Sequence, residues 1–437
     1  VSTGVYVKTF GCQMNVAESE RAYGLLRGAG FSAVERLEDA DVVIVNTCTV
    51  RRHAEDRAES FIGELRRWKQ ARPGRRILVM GCYAQVAEGA LRRRFPFVDA
   101  FAGARTDDSL PVLLERFARV PVPVQNVAER HRAVSVFVPV TYGCDNRCSY
   151  CIVPFARGPE RSRPFAEVLR EATELLRCGV RELVLLGQNV NSYRDTDGGV
   201  TRGFAELLEA VAVLGDETHR VRFMTSHPRD LSDRIISVIA RHDNICPHVH
   251  LPLQSGSDAI LARMNRGYTV ADYTQRAHRI RELIPGVSLT TDLIVGFPGE
   301  TIADFESTCG LVERLRFDSA FVFKFSPRPL TAAAAWPDDV PGAEKERRHR
   351  VLLETCLRMA AEAVRPLIGT EQEVLVERVH GARIMGKTPG NRSVTAETGM
   401  GDRIKAGDTV AVRITGVRNH TLVGVVPSPC IHSGQTP

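Results

Sequence analysis

Apolar positions along this chain fall into three successive patterns. Over residues 1–120 they come as short runs rich in β-branched side chains, at 5–10, 42–45 and 77–80, each followed by helical spacing such as that of 54–70. Short buried runs alternating with helices predict a parallel α/β sheet. A Pro/Val stretch at 120–124 and a charged piece up to Arg132 read as a linker. From 133 to 365 the same alternation continues, with strands expected at 134–141, 182–186, 221–224, 248–251, 288–295 and 319–325. Helices are expected between them, at 165–178, 271–284 and 301–315 among others. Six βα units are too few to close an eight-stranded barrel, so the pattern predicts a partial (βα)6 barrel with its site at the strand ends. From 366 to 430 the rhythm changes to alternating strands, at 373–377, 409–414 and 421–425, broken by Gly-containing turns. That pattern predicts a small antiparallel, OB-like β-barrel. The expected class is thus α/β with three units.

Composition narrows the picture. The chain has 437 residues, 43% of them hydrophobic, which suits an ordinary globular protein of two or three domains. No apolar run approaches the length of a membrane span, and no signal-peptide pattern opens the sequence. The eleven cysteines are odd in number and spread over a large chain. This argues against a secreted disulfide framework and for a cytoplasmic protein with cysteines as ligands. A net charge of +6 is too small to imply a nucleic-acid partner. The basic runs at 92–94 and 345–350 read as solvated faces.

Cysteine spacing carries the chemistry. Cys144, Cys148 and Cys151 follow C-x3-C-x2-C within Tyr142-Gly-Cys-Asp-Asn-Arg-Cys-Ser-Tyr-Cys. A 4Fe–4S cluster usually takes four thiolates, so three on one loop leave an iron open to a small molecule. Structural zinc is the alternative, but it takes paired ligands and no second pair is near. Cys12, Cys48 and Cys82 each follow a predicted strand, 36 and 34 residues apart (48 − 12 and 82 − 48). Parallel sheets bind ligands at that edge. Singly, each reads as a packed thiol; together they read as a second three-thiolate cluster. Other strand ends carry Gly187, Gln188 and Asn189, then Ser226 and His227, and then the Gly296 loop. His248 and His250 share a strand face, but no third ligand follows at a useful spacing. Cys178, Cys246, Cys309 and Cys356 read as packing residues and Cys430 as part of a loose tail. Arg383, Lys387, Asn391 and Arg392 cluster between predicted strands and are the candidate RNA contacts.

The cysteine loop, with aromatic Tyr150 before its last cysteine, resembles that of the radical S-adenosylmethionine (SAM) enzymes. Together with Gly11-Cys-Gln-Met-Asn, Asn46-Thr-Cys, Gly81-Cys, Leu186-Gly-Gln-Asn-Val, Ser226-His-Pro, Leu253-Gln-Ser-Gly-Ser and Val295-Gly-Phe-Pro-Gly-Glu, it resembles the radical-SAM methylthiotransferases across the whole chain. The resemblance implies a methylthiotransferase N-terminal domain, a radical SAM core and a C-terminal TRAM domain. Gly187-Gln-Asn-Val-Asn-Ser-Tyr and His250-Leu-Pro-Leu-Gln-Ser-Gly are similar to the MiaB type. That similarity implies methylthiolation of carbon 2 of N(6)-isopentenyladenosine at tRNA position 37, beside the anticodon. It further implies two 4Fe–4S clusters, the auxiliary one on Cys12, Cys48 and Cys82 and the SAM-binding one on Cys144, Cys148 and Cys151. Tyr150, Gly187, Gln188, Asn189, Ser226 and Gly296 would lie around S-adenosyl-L-methionine, and the C-terminal barrel would help grip the tRNA anticodon stem-loop. An electron donor such as a flavodoxin or ferredoxin and a sulfur donor are implied as partners. The sequence departs from the family at Phe325-Ser-Pro-Arg-Pro-Leu-Thr-Ala-Ala, where the family often has Tyr-Ser-Pro-Arg-Pro-Gly-Thr-Pro-Ala. Three other readings stay open on the sequence alone: a sister enzyme acting on a ribosomal-protein aspartate, a radical SAM enzyme whose second cluster relays electrons, and a non-enzymatic iron–sulfur RNA sensor.

Overall fold

The computed structural model describes residues 3–104, 110–118, 133–215, 219–399 and 403–427. The first unit is a five-stranded sheet of β1 (Gly4–Thr9), β2 (Ser32–Ala33), β3 (Val42–Thr47), β4 (Arg76–Gly81) and β5 (Ala100–Ala102), in the order β2-β1-β3-β4-β5. Every pairing is parallel, as the alternation predicted. β3 is buried along its whole length, which explains its unbroken apolar run. Val43 and Val45 pack on one face with Ile62 and Leu65, while Ile44 packs on the other with Leu25 and Leu26. This is the two-residue period of a strand covered on both sides. β2 and β5 were not expected; at two and three residues they are too short to show a period.

The second unit contributes β6 (Ser135–Pro139), a short ribbon of β7 (Thr141–Tyr142) and β8 (Arg161–Ser162), β9 (Glu182–Leu186), a hairpin of β10 (Arg194–Asp197) and β11 (Val200–Gly203), then β12 (Arg220–Phe223), β13 (His248–His250), β14 (Ser288–Val295) and β15 (Ser319–Lys324). β6-β9-β12 and β13-β14-β15 are two parallel three-stranded sheets. They are joined at Val221, whose N–H donates to Asn244 O and whose carbonyl accepts from the Cys246 N–H, each at 2.8 Å. The six strands therefore run in chain order. Among the described residues no pairing joins β6 to β15, so the barrel is open. One apolar core runs through all of it, from Val136 and Leu185 to Leu293 and Leu352.

The helix Gly342–Val364 leads into the third unit, a closed barrel of β16 (Glu371–His380), β17 (Arg383–Lys387), β18 (Ser393–Glu397), β19 (Thr409–Arg418) and β20 (Thr421–Val425). Three expectations are corrected here. Arg383 and Lys387 lie on a strand rather than between strands, because the charged ends of β17 hid its buried Ile384 and Gly386. The barrel is not wholly antiparallel, since β18 and β20 pair parallel. The basic run at 345–350 is not simply solvated either: Arg348 is buried against Glu300 at 2.6 Å, and Lys345 bonds Asp338 at 2.5 Å. The proposed linker at 120–132 and Cys430 fall outside the described residues. No described helix is long and apolar enough to cross a membrane.

Candidate functional site

All six candidate ligand cysteines line one cavity of about 560 Å³ between the first sheet and the open barrel. Strand-to-helix junctions put three of them there. Cys12 precedes the helix Gln13–Gly28, Cys48 follows β3, and Cys82 begins the helix after β4. Two asparagines that sequence reasoning passed over hold this rim together. Asn15 donates from Nδ2 to Asn46 Oδ1 at 2.9 Å and to Thr47 O at 3.2 Å, and Asn46 Nδ2 returns a bond to Asn15 O at 2.8 Å. The Cys12 thiol lies 3.4 Å from Asn15 Oδ1, its acceptor. Their signal was already present in the quoted motifs: each sits within three residues of a cysteine. Gly81 closes the rim at φ +100°, where a Cβ would lie 2.3 Å from Asn46 Oδ1 and 2.4 Å from Thr47 O. Only glycine fits there.

The loop after Phe325, whose role the sequence departure left open, reaches into the same rim. Arg328 Nη1 bonds Glu55 Oε2 at 3.1 Å and its Nη2 bonds Val50 O at 3.0 Å, while Thr49 donates to Glu55 Oε1 at 2.6 Å. A residue of the core thus clasps the Cys48 loop. A second cross-link is Arg157 to Glu18 at 2.5 Å, almost fully buried. Arg157 lines the cavity, and its Nη2 has no partner.

The other cysteine loop is fixed by its own backbone and by the core. Gly143 has φ +73°, and a Cβ there would meet Pro159 O at 2.1 Å. The Cys144 N–H donates to Gly158 O at 3.2 Å and that of Cys151 to Cys148 O at 3.0 Å. Buried Arg266 donates from Nη1 to Cys148 Sγ at 3.3 Å, a contact between segments far apart in sequence. Tyr150 lines the cavity and packs edge-on against Phe297, with centroids 6.3 Å apart.

Gly187, Gln188, Asn189 and Ser226 line the cavity as expected. A Cβ at Gly187 would sit 2.0 Å from Thr141 Oγ1. Gln188 Oε1, Asn189 Oδ1, Ser226 Oγ and Gln254 Oε1 are buried and accept no bond. Buried polar atoms are almost always paired, so four left open around one space call for a ligand bearing several donors. An amino-acid ammonium and an adenosine, both carried by SAM, meet that need. Thr225 and Gln254 hold φ +73° and +72°, left-handed conformations that cost energy and gather at ligand sites. Gly296 lies elsewhere. Its N–H donates to Glu300 Oε2 at 2.7 Å and a Cβ would meet Lys345 Cγ at 2.4 Å, so its glycine serves the packing of Gly342–Val364 and not the cavity lining.

Burial pushes the thiols of Cys82 and Cys151 up to about 12 and that of Cys144 up to about 11, and it also raises Cys48. Metal binding at these positions must therefore displace protons. Each of the two cysteine groups brings three thiolates to the cavity. A multi-iron cluster, which spreads its thiolates over separate irons, suits the six cysteines better than zinc. Burial, with the charges of Arg266 and Arg229, holds His227 down to about 3, so its imidazole is neutral near pH 7. His248 and His250 both hydrogen-bond Thr290 Oγ1, at 3.2 and 3.0 Å; His248 is buried away from the cavity, while His250 lines it, with Nε2 3.4 Å from Asp292.

The four candidate RNA residues of the barrel do not gather at this cavity. Arg383 is exposed, 3.7 Å from Glu397, and Lys387 is 3.5 Å from Glu377. The Lys387 carbonyl accepts from Arg220 Nη1 at 2.8 Å, and that of Pro389 accepts from Arg222 Nη1 at 3.0 Å. Asn391 shapes the turn with φ +62°, and Arg392 is bonded to Asp318. Arg220 opens β12 and Asp318 immediately precedes β15. The turn therefore docks on the amino ends of the core strands, opposite the cysteines. Arg392 is a tie between units and not a free cation.

Comparison with known proteins agrees with this architecture. The Radical SAM superfamily profile matches residues 138–312, that of Uncharacterized protein family UPF0004 matches 4–103, and that of the TRAM domain matches 365–426. A tRNA-2-methylthio-N(6)-dimethylallyladenosine synthase of Chlorobium chlorochromatii is 44% identical over 96% of this chain and 96% of its own. One from Moorella thermoacetica is 42% identical over 95% and 96%. Among solved structures, a radical S-adenosylmethionine methyltransferase, TsrM, from Kitasatospora setae shares the fold with TM-score 0.54 at 14% identity, over 76% of this chain and 77% of that one. Superfamily membership brings with it one 4Fe–4S cluster and SAM. With its two cysteine sets on one cavity and these two full-length relatives, the chain belongs to the radical-SAM methylthiotransferases, in the family of the tRNA-2-methylthio-N(6)-dimethylallyladenosine synthases.

Proposed function

We infer that this chain inserts a methylthio group at carbon 2 of N(6)-isopentenyladenosine 37 in tRNA, using SAM and two 4Fe–4S clusters. The observation that carries the reading is the convergence of Cys12, Cys48 and Cys82 with Cys144, Cys148 and Cys151 on one cavity. The target carbon bears an unactivated hydrogen. General acid–base help is worth about 10²–10⁴-fold, too little for that bond. When bound, the cofactors supply reductive cleavage of SAM to a carbon radical and a sulfur atom ready for methylation.

The chain's own residues bind and aim. Cys144, Cys148 and Cys151 hold the SAM-binding cluster, with Arg266 donating to the Cys148 sulfur. Gln188, Asn189, Ser226 and Gln254 offer their open acceptors to SAM. Cys12, Cys48 and Cys82 hold the auxiliary cluster, with buried Arg157 beside them as a positive charge. His227 is neutral, and its Nδ1 accepts from the Arg229 N–H, so the ring proton sits on Nε2 and the ring offers a neutral N–H donor and not a cationic acid. A reductant such as a flavodoxin or ferredoxin and a separate sulfur donor complete the reading. The deciding experiment is mass spectrometry of tRNA nucleosides from cells with and without the gene. Loss of the methylthio group from the prenylated adenosine is expected. An unchanged nucleoside profile, with a ribosomal-protein aspartate losing its methylthio group instead, overturns the reading.

A further inference from the structure

We propose that the mouth of the cavity, where β15 faces the start of the helix Arg52–Gln70, is a single-stranded RNA site. The Phe321 ring stacks on an unpaired base next to the target adenosine, and Arg51 and Arg57 take the flanking phosphates. This inference rests on the tRNA reading above and gives it a contact surface that the C-terminal barrel does not provide.

Three observations meet at this place. β15 is the last strand of the open barrel, its outer edge packed along the helix Gly342–Val364, where His349 Nε2 bonds Val322 O at 3.1 Å, and its register sets Phe321 beside Asp292 and Phe323 beside Ile294 on β14. Phe321 and Phe323 share one face, while the intervening Val322 is buried in the barrel core. Phe321 lines the cavity yet is 52% exposed, and its ring lies nearly parallel to that of Phe323, 18° apart with centroids at 6.5 Å. A single exposed aromatic is ordinary on a protein surface. This one stands at the lip of the cavity that holds the six cysteines.

The second observation is charge. Arg51 lies over the Phe323 ring at 5.2 Å and Arg57 over the Phe10 ring at 5.6 Å, and both line the same cavity. Arg52 between them is engaged by Glu55 at 3.6 Å and Asp56 at 3.2 Å. Neither Arg51 nor Arg57 has a carboxylate within ion-pair distance among the described residues. The third observation is chemical fit. Aromatic faces flanked by cations are how proteins hold unstacked bases and their phosphates. An aspartate side chain has no aromatic face to stack on Phe321, whereas every nucleobase has one, so Phe321 and the two arginines together suit an RNA loop.

The test uses the full chain with its clusters assembled and a fluorescent anticodon stem-loop bearing the prenylated adenosine. Binding is measured across a salt series. Phe321→Ala is expected to weaken binding by about 5- to 150-fold, the range for loss of one base–aromatic stack. The slope of log affinity against log salt should stay unchanged. Phe321→Trp should bind nearly as wild type, and Phe321→Leu should bind as poorly as the alanine variant. The double change Arg51→Gln with Arg57→Gln should weaken binding and make the slope shallower by about 1.4, about 0.7 per lost phosphate contact. Circular dichroism and iron content per chain confirm that each variant is folded and loaded. Leucine binding as well as phenylalanine, or an unchanged slope in the arginine variant, overturns the inference. Failure of the wild-type chain to bind the stem-loop overturns the tRNA reading instead, so the two failures are distinct.

Discussion

At Gly81 one added methyl group is enough to break the cysteine rim. Its φ of +100° and the 2.3 Å approach of Asn46 Oδ1 leave no room for a Cβ. Gly81→Ala should cost about 1–3 kcal/mol in unfolding free energy, read by urea titration. The same change should lower iron at the auxiliary site more than at the SAM site. The two cysteine sets predict separable losses. Alanine at Cys144, Cys148 and Cys151 together should abolish 5′-deoxyadenosine formation under reductant, measured by chromatography. Alanine at Cys12, Cys48 and Cys82 should retain it and lose sulfur insertion. Wild-type turnover should consume two SAM per product, one leaving as S-adenosylhomocysteine and one as 5′-deoxyadenosine; a single equivalent would refute the scheme. The cysteines were legible in the sequence because packing alone does not set a thiol just after a strand once in every βα unit. Arg157 and Arg266 were not, because their contacts join segments that only the fold brings together; Asn15 and Asn46 stood in the cysteine motifs, but their pairing with each other did not show there. Gly296 misled for the opposite reason: a glycine after a strand looks alike whether a ligand or a lysine stem fills the space.

Among elements, the Arg328–Glu55 pair couples the core's last loop to the first sheet. Both side chains are buried, 9% and 7% exposed, so removing one charge strands the other. Glu55→Gln should destabilise by about 3–5 kcal/mol. Adding Arg328→Met should recover much of that loss, and the double-mutant cycle by urea unfolding checks it. The six core strands fell within two residues of where the apolar pattern put them, since each is a buried run bounded by turn residues. β17 escaped because its buried positions, Ile384 and Gly386, present a single apolar side chain between charged ends. The Phe325–Ala333 loop differs from the family pattern at its turn, yet it keeps the arginine that does the clasping.

On the scale of the whole molecule, acid should loosen the joint between core and barrel. Burial, then the charges of Arg222 and His250, hold His248 well below its usual range. The unfolded chain takes up that proton near pH 6.5 and the folded chain does not, so this contribution to stability falls as pH drops below 6.5. Burial pushes Glu182 up, but Arg222 and Ser135 more than offset it, and its carboxyl ends below the usual range. Its contribution is present above about pH 4.5 and is lost as pH falls through the lower folded value. Melting temperature should therefore decline steadily from pH 7 toward pH 4, and His248→Gln should flatten the upper part of that decline. A melting temperature constant over this interval would contradict the assignment.

The barrel sits on the floor of the core while the cysteine-lined cavity opens at its roof. The eight residues of β14 separate the two by about 26 Å at ~3.3 Å per residue. A lone nucleoside, however well it suits the pocket, cannot touch both levels. Anything that touched both levels would have to span that length along the side of the core, which a whole folded tRNA does and a lone nucleoside does not.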